Sequence, residues 1–257
     1  MKQKIMGVII SLLVVFAAMG GFSLTDDATD INEASADAVY EESSEDAETD
    51  FDEADINSLS EDVTDLGEPY FTEDEIEKAK QGSFTDYEGL DGLGRVIGVC
   101  ASINASDLPT GERDDGDELR NIYPAGWDQE YYGEDYIEGE YLYNRSHALM
   151  YALGGETSER NIFTGTRYLN ATLMLDYEEE ALSYVRSYEK CRLLYRVTPI
   201  YEGDNLVPSG VLMEALSLDS VGLGKEDGTN LKFCVYLKNV QPGIEIDYSD
   251  GSSSLAE

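Results

Sequence analysis

Several residue types are scarce in this chain. Its 257 residues include one histidine, one tryptophan, six prolines and three cysteines. Lysine and arginine together number 17 against 54 aspartates and glutamates, which gives a formal net charge of −37. A protein this acidic repels polyanions on average. The overall composition therefore gives no indication of a nucleic-acid-binding protein, and such a function has to rest on a local motif.

The three cysteines are Cys100, Cys191 and Cys234, and their wide spacing matches no known metal-binding motif. One disulfide with a spare thiol and three buried free thiols both remain open from the sequence. No cysteine lies near the N-terminus, so a lipid anchor attached through cysteine is not indicated.

Charge is absent from residues 6–23, an apolar run that follows Lys2 and Lys4. A positive flank before an apolar run is typical of an export signal, and small residues around Gly20 allow cleavage there. The run is also long enough to span a bilayer. We therefore expect residues 1–23 to be a signal peptide or a membrane anchor, and the protein to be extracellular or bound to the cell surface.

Basic residues are absent from residues 24–66, which contain 17 acidic residues. Such a segment buries too little apolar surface to offset the entropy lost on ordering. We predict an acidic disordered tether over residues 24–82 that ends in a short helix, Phe71–Gln81, with Thr72 as its N-cap. The globular domain is predicted to span residues 83–250, and residues 251–257 to be a frayed tail.

Within that domain, hydrophobic patterning predicts one long helix and several strands, with no internal repeat. The helix is expected at Arg167–Tyr188, and residues 107–126 read as a polar loop. The predicted strands are Arg95–Ile103, Tyr141–Leu149, Arg192–Ile200, Asn205–Ala215, Lys232–Val240 and Gly243–Tyr248. This order predicts an α+β fold with a central, largely antiparallel β-sheet.

Residues suited to phosphodiester chemistry are concentrated between residues 144 and 178. The single histidine, His147, ends the predicted strand YLYNRSH, and imidazole is suited to proton transfer near neutral pH. Asn161 and Asn170 are nine residues apart, and Glu178 follows eight residues later. Taken singly, each has a plainer interpretation: a structural histidine, a helix-capping asparagine and an acid on a solvated helix face.

The ordered set is more specific than its members. Asn144-Arg145-Ser146-His147, followed by Asn161, Asn170 and Glu178, resembles the DNA/RNA non-specific endonuclease family in its form from Gram-positive bacteria. That family belongs to the ββα-metal, or His-Me finger, nucleases. The segments LDGLGRV, NIFTGTRYLN, LYRVTPIYEGDNLVPSGVLMEA and VYLKNVQPGIEIDY extend the resemblance over residues 84–249.

The resemblance implies a role for each residue of the set. It implies that His147 is the general base that activates water, and that Asn170 is the direct protein ligand of one Mg²⁺ ion, for which Mn²⁺ can substitute. Asn161 would orient the histidine loop or the phosphate, and Glu178 would hold the hydrated metal. Arg145 would contact phosphate or support the site.

Arg167 and Arg113 are weaker candidates for phosphate binding, and Arg113 has an acidic neighbour, Asp114, with which it can pair instead. The implied substrate is DNA, with RNA as an open alternative, and no protein partner is indicated. The sequence departs from the family pattern at Asn144, where many members have Asp, and at Ser146, where many have Gly.

The acidic charge is unevenly distributed. Residues 83–144 contain 15 acidic and 3 basic residues, whereas residues 145–196 contain 7 of each. A neutral catalytic segment in an acidic domain implies few phosphate contacts and weak non-specific affinity. This acidity favours, to some extent, an alternative function: a catalytically weak or inactive surface or binding protein that keeps the nuclease fold.

Overall fold

The computed structural model describes residues 61–111, 116–188, 190–218 and 230–256. Within them, six strands form one antiparallel sheet in the order β1-β8-β7-β6-β3-β2, and two further two-stranded ladders pair β4 with β5 and β9 with β10. The strands are β1 Val63–Asp65, β2 Phe84–Tyr87, β3 Val99–Ile103, β4 Tyr143–His147, β5 Ile162–Thr166, β6 Leu193–Ile200, β7 Gly210–Ser217, β8 Lys232–Lys238, β9 Ile244–Ile246 and β10 Ser253–Leu255.

Three α-helices occur in the described residues. They are α1 Glu73–Gln81, α2 Gly116–Arg120 and α3 Met174–Ser187, and a π-helical turn, Leu169–Leu173, leads directly into α3. Short 3-10 turns occupy Ala105–Asp107, Tyr151–Leu153 and Glu159–Asn161. The predicted α+β class with a central antiparallel sheet is confirmed.

The main hydrophobic core lies between the six-stranded sheet and α3. Ala181 and Val185 of the helix belong to the same buried cluster as Val197, Met213 and Val235 from three neighbouring strands. Each strand alternates its side chains between the two faces of the sheet. The sheet therefore gives α3 a fixed support.

The opposite face of the sheet is covered by α1. Ala79 of that helix is packed with Cys100 and Leu194 from β3 and β6. Arg196 reaches from this face to Glu75 of α1, at 2.8 Å from Nη1 to Oε1, and to the buried Glu214, at 2.6 Å from Nε to Oε2. The sheet is thus buried on both faces, as its apolar strands require.

The structured region begins N-terminal to the predicted start at residue 83. Helix α1 confirms the predicted helix and its cap, because the Thr72 side chain accepts from the Glu75 N–H in a capping box. Strand β1, however, was predicted as part of the tether, and it pairs with β8 through Val63 and Leu237. This edge strand could not be predicted, because it has three residues and lies in an acidic segment.

The predicted export signal, and residues 24–60 of the predicted tether, lie outside the described residues. In the described ranges, no helix is both long enough and apolar enough to cross a membrane.

The three cysteines are buried and none of them forms a disulfide, so of the two thiol arrangements that the sequence left open, the one with a disulfide does not occur. Burial raises the pKa of Cys100 and of Cys234 to about 12. A thiol in such an environment behaves as a small apolar side chain.

The predicted strands and helix differ from the structure mainly at their ends. β3 begins at Val99 rather than Arg95, and β7 begins at Gly210 rather than Asn205. Three further strands were not predicted: β2, β5 and β10. β5 has five buried residues and no alternation of polar and apolar positions. β10 lies in residues 251–257, which were predicted to be a frayed tail, and it is held there by pairing with β9. The polar stretch 107–126 contains α2 in addition to loop.

Candidate active site

The hairpin of β4 and β5 carries the single histidine at one end. His147 is the last residue of β4 and pairs with Ile162, the first residue of β5. Its side chain is 9% exposed, which places it at the boundary between the protein interior and the surface. A histidine at a strand end has a backbone fixed by the strand ladder, which helps to hold a proton-transferring side chain in position.

The loop that follows the histidine is held by Asn161. The Leu149 N–H donates to Asn161 Oδ1 at 2.8 Å, and Asn161 Nδ2 donates to the carbonyls of Leu149 at 3.0 Å and Glu156 at 2.8 Å. The backbone carbonyl of Asn161 also accepts from the N–H of Ala148. Since Asn161 is completely buried, these contacts fix the backbone of the loop and leave its amide no route to a phosphate.

Close backbone approach in the same loop requires a glycine. A Cβ on Gly155 would lie 1.8 Å from the Leu149 carbonyl oxygen. The Gly155 N–H donates to the carbonyl of Met150 at 3.1 Å. The segment after His147 therefore folds back tightly on itself.

Ser146, where many family members have glycine, takes an ordinary backbone conformation, since Glu140 alone among the described non-glycine residues has a positive φ. The extra side chain is accommodated across the hairpin instead. A Cβ on Gly165 would lie 2.2 Å from Ser146 Oγ. The buried hydroxyl of Ser146 has no hydrogen-bond partner in the described part of the chain.

Arg145 is engaged by the loop that precedes the hairpin. Its Nε donates to the carbonyl of Ile122 at 2.6 Å, and its Nη2 donates to the carbonyl of Arg120 at 3.2 Å. The guanidinium also lies 4.1 Å from the ring centroid of Trp127 and 5.3 Å from that of Tyr123. Of the two predicted roles, these contacts favour support of the site over phosphate binding. Burial lowers the pKa of Arg145 from its usual value.

A π-helical turn starts the long helix and contains Asn170. The Met174 N–H donates to the carbonyl of Leu169, five residues earlier, and the Leu169 N–H donates to Thr166 Oγ1 at 3.0 Å. A regular helix was predicted here, because one extra residue in a turn hardly changes the spacing of the apolar positions. Single π turns occur frequently at functional sites.

The π turn changes which residues share a helix face. In a regular α-helix, positions eight apart differ by about 80° around the axis, whereas positions seven apart differ by about 20°. A π turn takes up one extra residue within one turn. Asn170 lies within this turn and Glu178 in the α-helix that follows, so the two positions are closer around the helix axis than they would be in a regular α-helix.

Glu178 is buried, with 8% of its surface exposed. Desolvation raises the pKa of its carboxyl group to about 7, and no ion pair or hydrogen bond contributes to that shift. The nearby Tyr195 hydroxyl is buried and has no hydrogen-bond partner in the described residues. An uncompensated carboxylate of this kind is well suited to a hydrated cation, because a cation restores the solvation that burial removed.

The donor set fits a weakly held magnesium ion. No group of three or more His, Cys, Asp or Glu side chains suited to a metal ion occurs within the described ranges. Mg²⁺ usually keeps several waters and takes only one or two protein oxygens. The half-buried amide of Asn170 and the carboxylate of Glu178 meet that requirement.

The two weaker phosphate-binding candidates differ in what the structure says about them. Arg167 follows β5, and its Nε donates to the carbonyl of Glu138 at 3.1 Å. Arg113 lies outside the described residues. Several other arginines are paired with carboxylates, including Arg95 with Asp91.

Comparison with known proteins gives a family match over more than half of the chain. A family model described as DNA/RNA non-specific endonuclease matches residues 73–218. A deoxyribonuclease of Streptococcus dysgalactiae subsp. equisimilis is 25% identical in an alignment of 203 residues that covers 64% of this chain. The matched region spans 59% of the length of that relative.

Solved structures share the fold. NucA from Streptococcus agalactiae, solved without metal and with magnesium bound, is similar with a TM-score of 0.55 and 24% identity over 68% of this chain and 78% of NucA. Sda1 nuclease with bound zinc is similar with a TM-score of 0.59 and 21% identity over 79% of this chain and 98% of Sda1. At these identities the structural matches establish a common fold alone.

Proposed function

Because the chain belongs to the DNA/RNA non-specific endonuclease family, we propose that it is a metal-dependent endonuclease that hydrolyses phosphodiester bonds of DNA, with RNA as a second substrate. The observation that carries the proposal is the support of the single histidine. His147 ends β4, and the loop after it is held by three side-chain hydrogen bonds of Asn161.

His147 accepts a proton from a water molecule as the water oxygen bonds to phosphorus. The bond between phosphorus and the 3′ oxygen breaks, which leaves a 5′ phosphate on one product and a 3′ hydroxyl on the other once that oxygen takes up a proton. Mg²⁺, when bound, stabilises negative charge on the phosphate oxygens and the leaving oxygen. His147 is suited to the proton transfer because an imidazole titrates near neutral pH.

The remaining residues bind and orient. Asn170 would hold the metal directly and Glu178 would hold its water shell, and Mn²⁺ could replace Mg²⁺ because the ligand oxygens suit both ions. Arg145 keeps the loop before β4 in place through the Ile122 carbonyl. Arg167 and Arg113 are the weaker candidates for binding substrate phosphates.

We also propose that the protein acts outside the cell or at its surface. Residues 1–23 serve as the export signal or anchor, and residues 24–60 form an acidic spacer. Support comes from the uncharged apolar run at residues 6–23 and from the absence of basic residues at 24–66. The nuclease domain, predicted for residues 83–250, includes β1 and α1 as well.

The test is cleavage of plasmid DNA and of a structured RNA by the full chain, with Mg²⁺ or with EDTA. His147→Ala is expected to abolish cutting, and added imidazole to restore part of it, because a free base can enter the vacated space. Thr85→Ala, a change at an exposed position of β2 that has no part in the site, serves as the control. Intact substrate in every reaction would favour the non-catalytic surface protein, and cutting that persists in EDTA would contradict the metal.

A separate experiment tests whether the acidic charge limits activity. The neutral catalytic segment implies weak phosphate attraction, so an added lysine on the exposed face of α3, such as Glu179→Lys, should raise activity at low salt. An unchanged rate in that variant would contradict this reading without affecting the assignment of His147.

A further inference from the structure

One face of α3 packs on the sheet, and this face includes a carboxyl group. Met174, Glu178, Ala181 and Val185 are buried and follow one another at spacings of four, three and four residues. Residues at such spacings share one helix face. Since the other three belong to the core cluster that α3 forms with the sheet, the side chain of Glu178 also projects into the interface between helix and sheet.

Tyr195 projects into the same interface from β6. Because side chains alternate along a strand, Leu193, Tyr195 and Val197 face α3, and all three belong to the core cluster on that side. Leu194, between them, packs on the opposite face with α1. The Tyr195 ring is 1% exposed and meets Phe233 of β8 edge to face, at 6.4 Å between ring centroids. The ring is thus enclosed by the core.

Small residues flank Tyr195 on both neighbouring strands. Ala101 of β3 and Ala215 of β7 are its direct partners in the sheet, and both are completely buried. Large side chains at these two positions would fill the layer beneath α3, whereas two methyl groups leave that space to the tyrosine ring. The sheet therefore provides a fixed place for this ring under the helix.

The hydroxyl group of Tyr195 is buried, and it has no hydrogen-bond partner among the described residues. Such a group is rare in folded proteins, because it loses the hydrogen bonds that water would make with it. A tyrosine whose hydroxyl lies unpaired between apolar side chains gains nothing from that hydroxyl in packing. The hydroxyl therefore calls for a functional explanation.

Glu178 is the acceptor that the interface offers to this hydroxyl. Two carboxyl groups are buried in the described part of the chain, those of Glu178 and Glu214. Glu214 is engaged on the opposite face by Arg196, at 2.6 Å from Nε to Oε2, and by the N–H of Tyr70. Glu178 lies on the same side as Tyr195, and its charge adds to the effect of burial in raising the pKa of Tyr195. The two groups are therefore close enough to interact.

We propose that Tyr195 is a positioning residue for Glu178: its hydroxyl donates a hydrogen bond to the Glu178 carboxylate when a divalent cation is bound. The proposal rests on the proposed nuclease function, which assigns Glu178 to the water shell of that cation. A carboxylate has two oxygens, and a donor on one of them fixes the direction in which the other accepts. Tyr195 therefore acts through Glu178 and contacts neither metal nor substrate.

The first test is the metal affinity of Tyr195→Phe, a change that removes the hydroxyl and keeps the ring. Mn²⁺ is the probe, because its electron paramagnetic resonance signal distinguishes free from bound ion. The full chain is titrated at moderate salt, and Asn170→Ala gives the background binding by the acidic surface. We expect Tyr195→Phe to bind Mn²⁺ about tenfold more weakly at the site, as is typical when a group that orients a metal ligand is lost.

The metal-free protein separates positioning from a structural role. Removal of an unpaired buried hydroxyl should leave the urea midpoint of Tyr195→Phe in EDTA unchanged or slightly higher. The matched control is Tyr236→Phe, which removes a hydroxyl from a buried tyrosine on the opposite face of the sheet, where it donates to Ser209 Oγ at 3.3 Å. This control should leave the Mn²⁺ affinity unchanged.

A double variant shows whether the effect passes through Glu178. Glu178→Met keeps the length of the side chain and removes both acceptor oxygens. In that background, Tyr195→Phe should change the Mn²⁺ affinity by no more than about twofold. In plasmid cutting, Tyr195→Phe alone should raise the half-saturating Mg²⁺ concentration about tenfold and leave the KM for DNA at saturating Mg²⁺ unchanged.

Three results would overturn the proposal. These are a Mn²⁺ affinity of Tyr195→Phe equal to that of the wild type, an equal loss in the wild-type and Glu178→Met backgrounds, or a loss of metal-free stability that accounts for the weaker binding. If the wild type cuts nucleic acid and Tyr195→Phe binds metal normally, the positioning role alone fails. If the wild type neither cuts nor binds Mn²⁺ above the Asn170→Ala background, the proposed function fails as well.

Discussion

Ser146 and Gly165 face each other across the β4–β5 hairpin so closely that their side-chain volumes must be coupled. A methyl group on Gly165 would lie 2.2 Å from Ser146 Oγ and 2.9 Å from Ser146 Cβ. Neither distance is compatible with non-bonded contact, so Gly165→Ala forces the hairpin apart. Overpacking of this kind costs about 1–3 kcal/mol, and we expect about 2–3 kcal/mol here because both strands are buried.

A second substitution, Ser146→Gly, removes both atoms that clash with the new methyl group on residue 165. The nearest remaining contact of the new methyl group would be Phe163 Cε2 at 3.3 Å, which a small ring movement relieves. By itself, Ser146→Gly should change the stability little, because two effects oppose each other. It removes a buried hydroxyl without a partner, which stabilises the fold, and it adds a flexible residue to a strand, which costs about 0.5–1 kcal/mol. The double variant should therefore recover most of the loss.

The assay is equilibrium urea unfolding of the wild type, the two single variants and the double variant, all in EDTA so that metal binding does not contribute. We expect a coupling of about 2 kcal/mol between positions 146 and 165. Because His147 adjoins Ser146, the cutting rate with Mg²⁺ should fall and recover in parallel. Losses that add within about 0.5 kcal/mol would refute the reasoning.

Three further outcomes are expected. Asn161→Asp keeps the size of the side chain but places an oxygen against two backbone carbonyls, so thermal unfolding should reveal a loss of about 3 kcal/mol; an unchanged melting temperature would contradict the loop-holding role. Burial raises the pKa of Glu178 from 4.5 to about 7, so the folded state binds this proton more tightly than the unfolded chain. The stability that this proton contributes, about 3 kcal/mol, is complete below pH 4.5 and is lost as the pH rises through 7. Glu178→Gln cannot ionise, so in urea titrations without metal it should retain this stability at high pH. Glu214→Ala removes the buried partner of Arg196 and leaves it the ion pair with Glu75, so it should cost about 3 kcal/mol by chemical denaturation, with recovery when Arg196 is also replaced by Met.

Much of the sheet could be predicted because its strands are long and apolar. The predicted segments at Arg192–Ile200 and Lys232–Val240 correspond closely to β6 and β8. β5 was missed because all five of its residues are buried, so no alternation marks a strand face. β1 was missed because edge pairing depends on a partner 174 positions away in the Val63–Leu237 register, which local composition does not reveal.

The residues of the candidate site could be predicted, but the hydrogen bonds that hold them in place could not. Spacing and resemblance selected Asn161, Asn170 and Glu178, yet the carbonyl partners of Asn161 depend on how the loop folds back. The partners of Arg145 likewise come from a polar stretch that has no periodic signal. Hydrogen bonds between side chains and distant loop carbonyls are set by tertiary structure, so sequence patterns carry little trace of them.

The burial of the thiols bears on how readily they react. With a pKa of about 12, Cys100 and Cys234 present thiolate in only about one molecule in 10⁵ at neutral pH, and the thiolate is the form that reacts with disulfides. Thiol–disulfide exchange at these two side chains is therefore slow while the protein is folded, and it becomes fast only when unfolding exposes them.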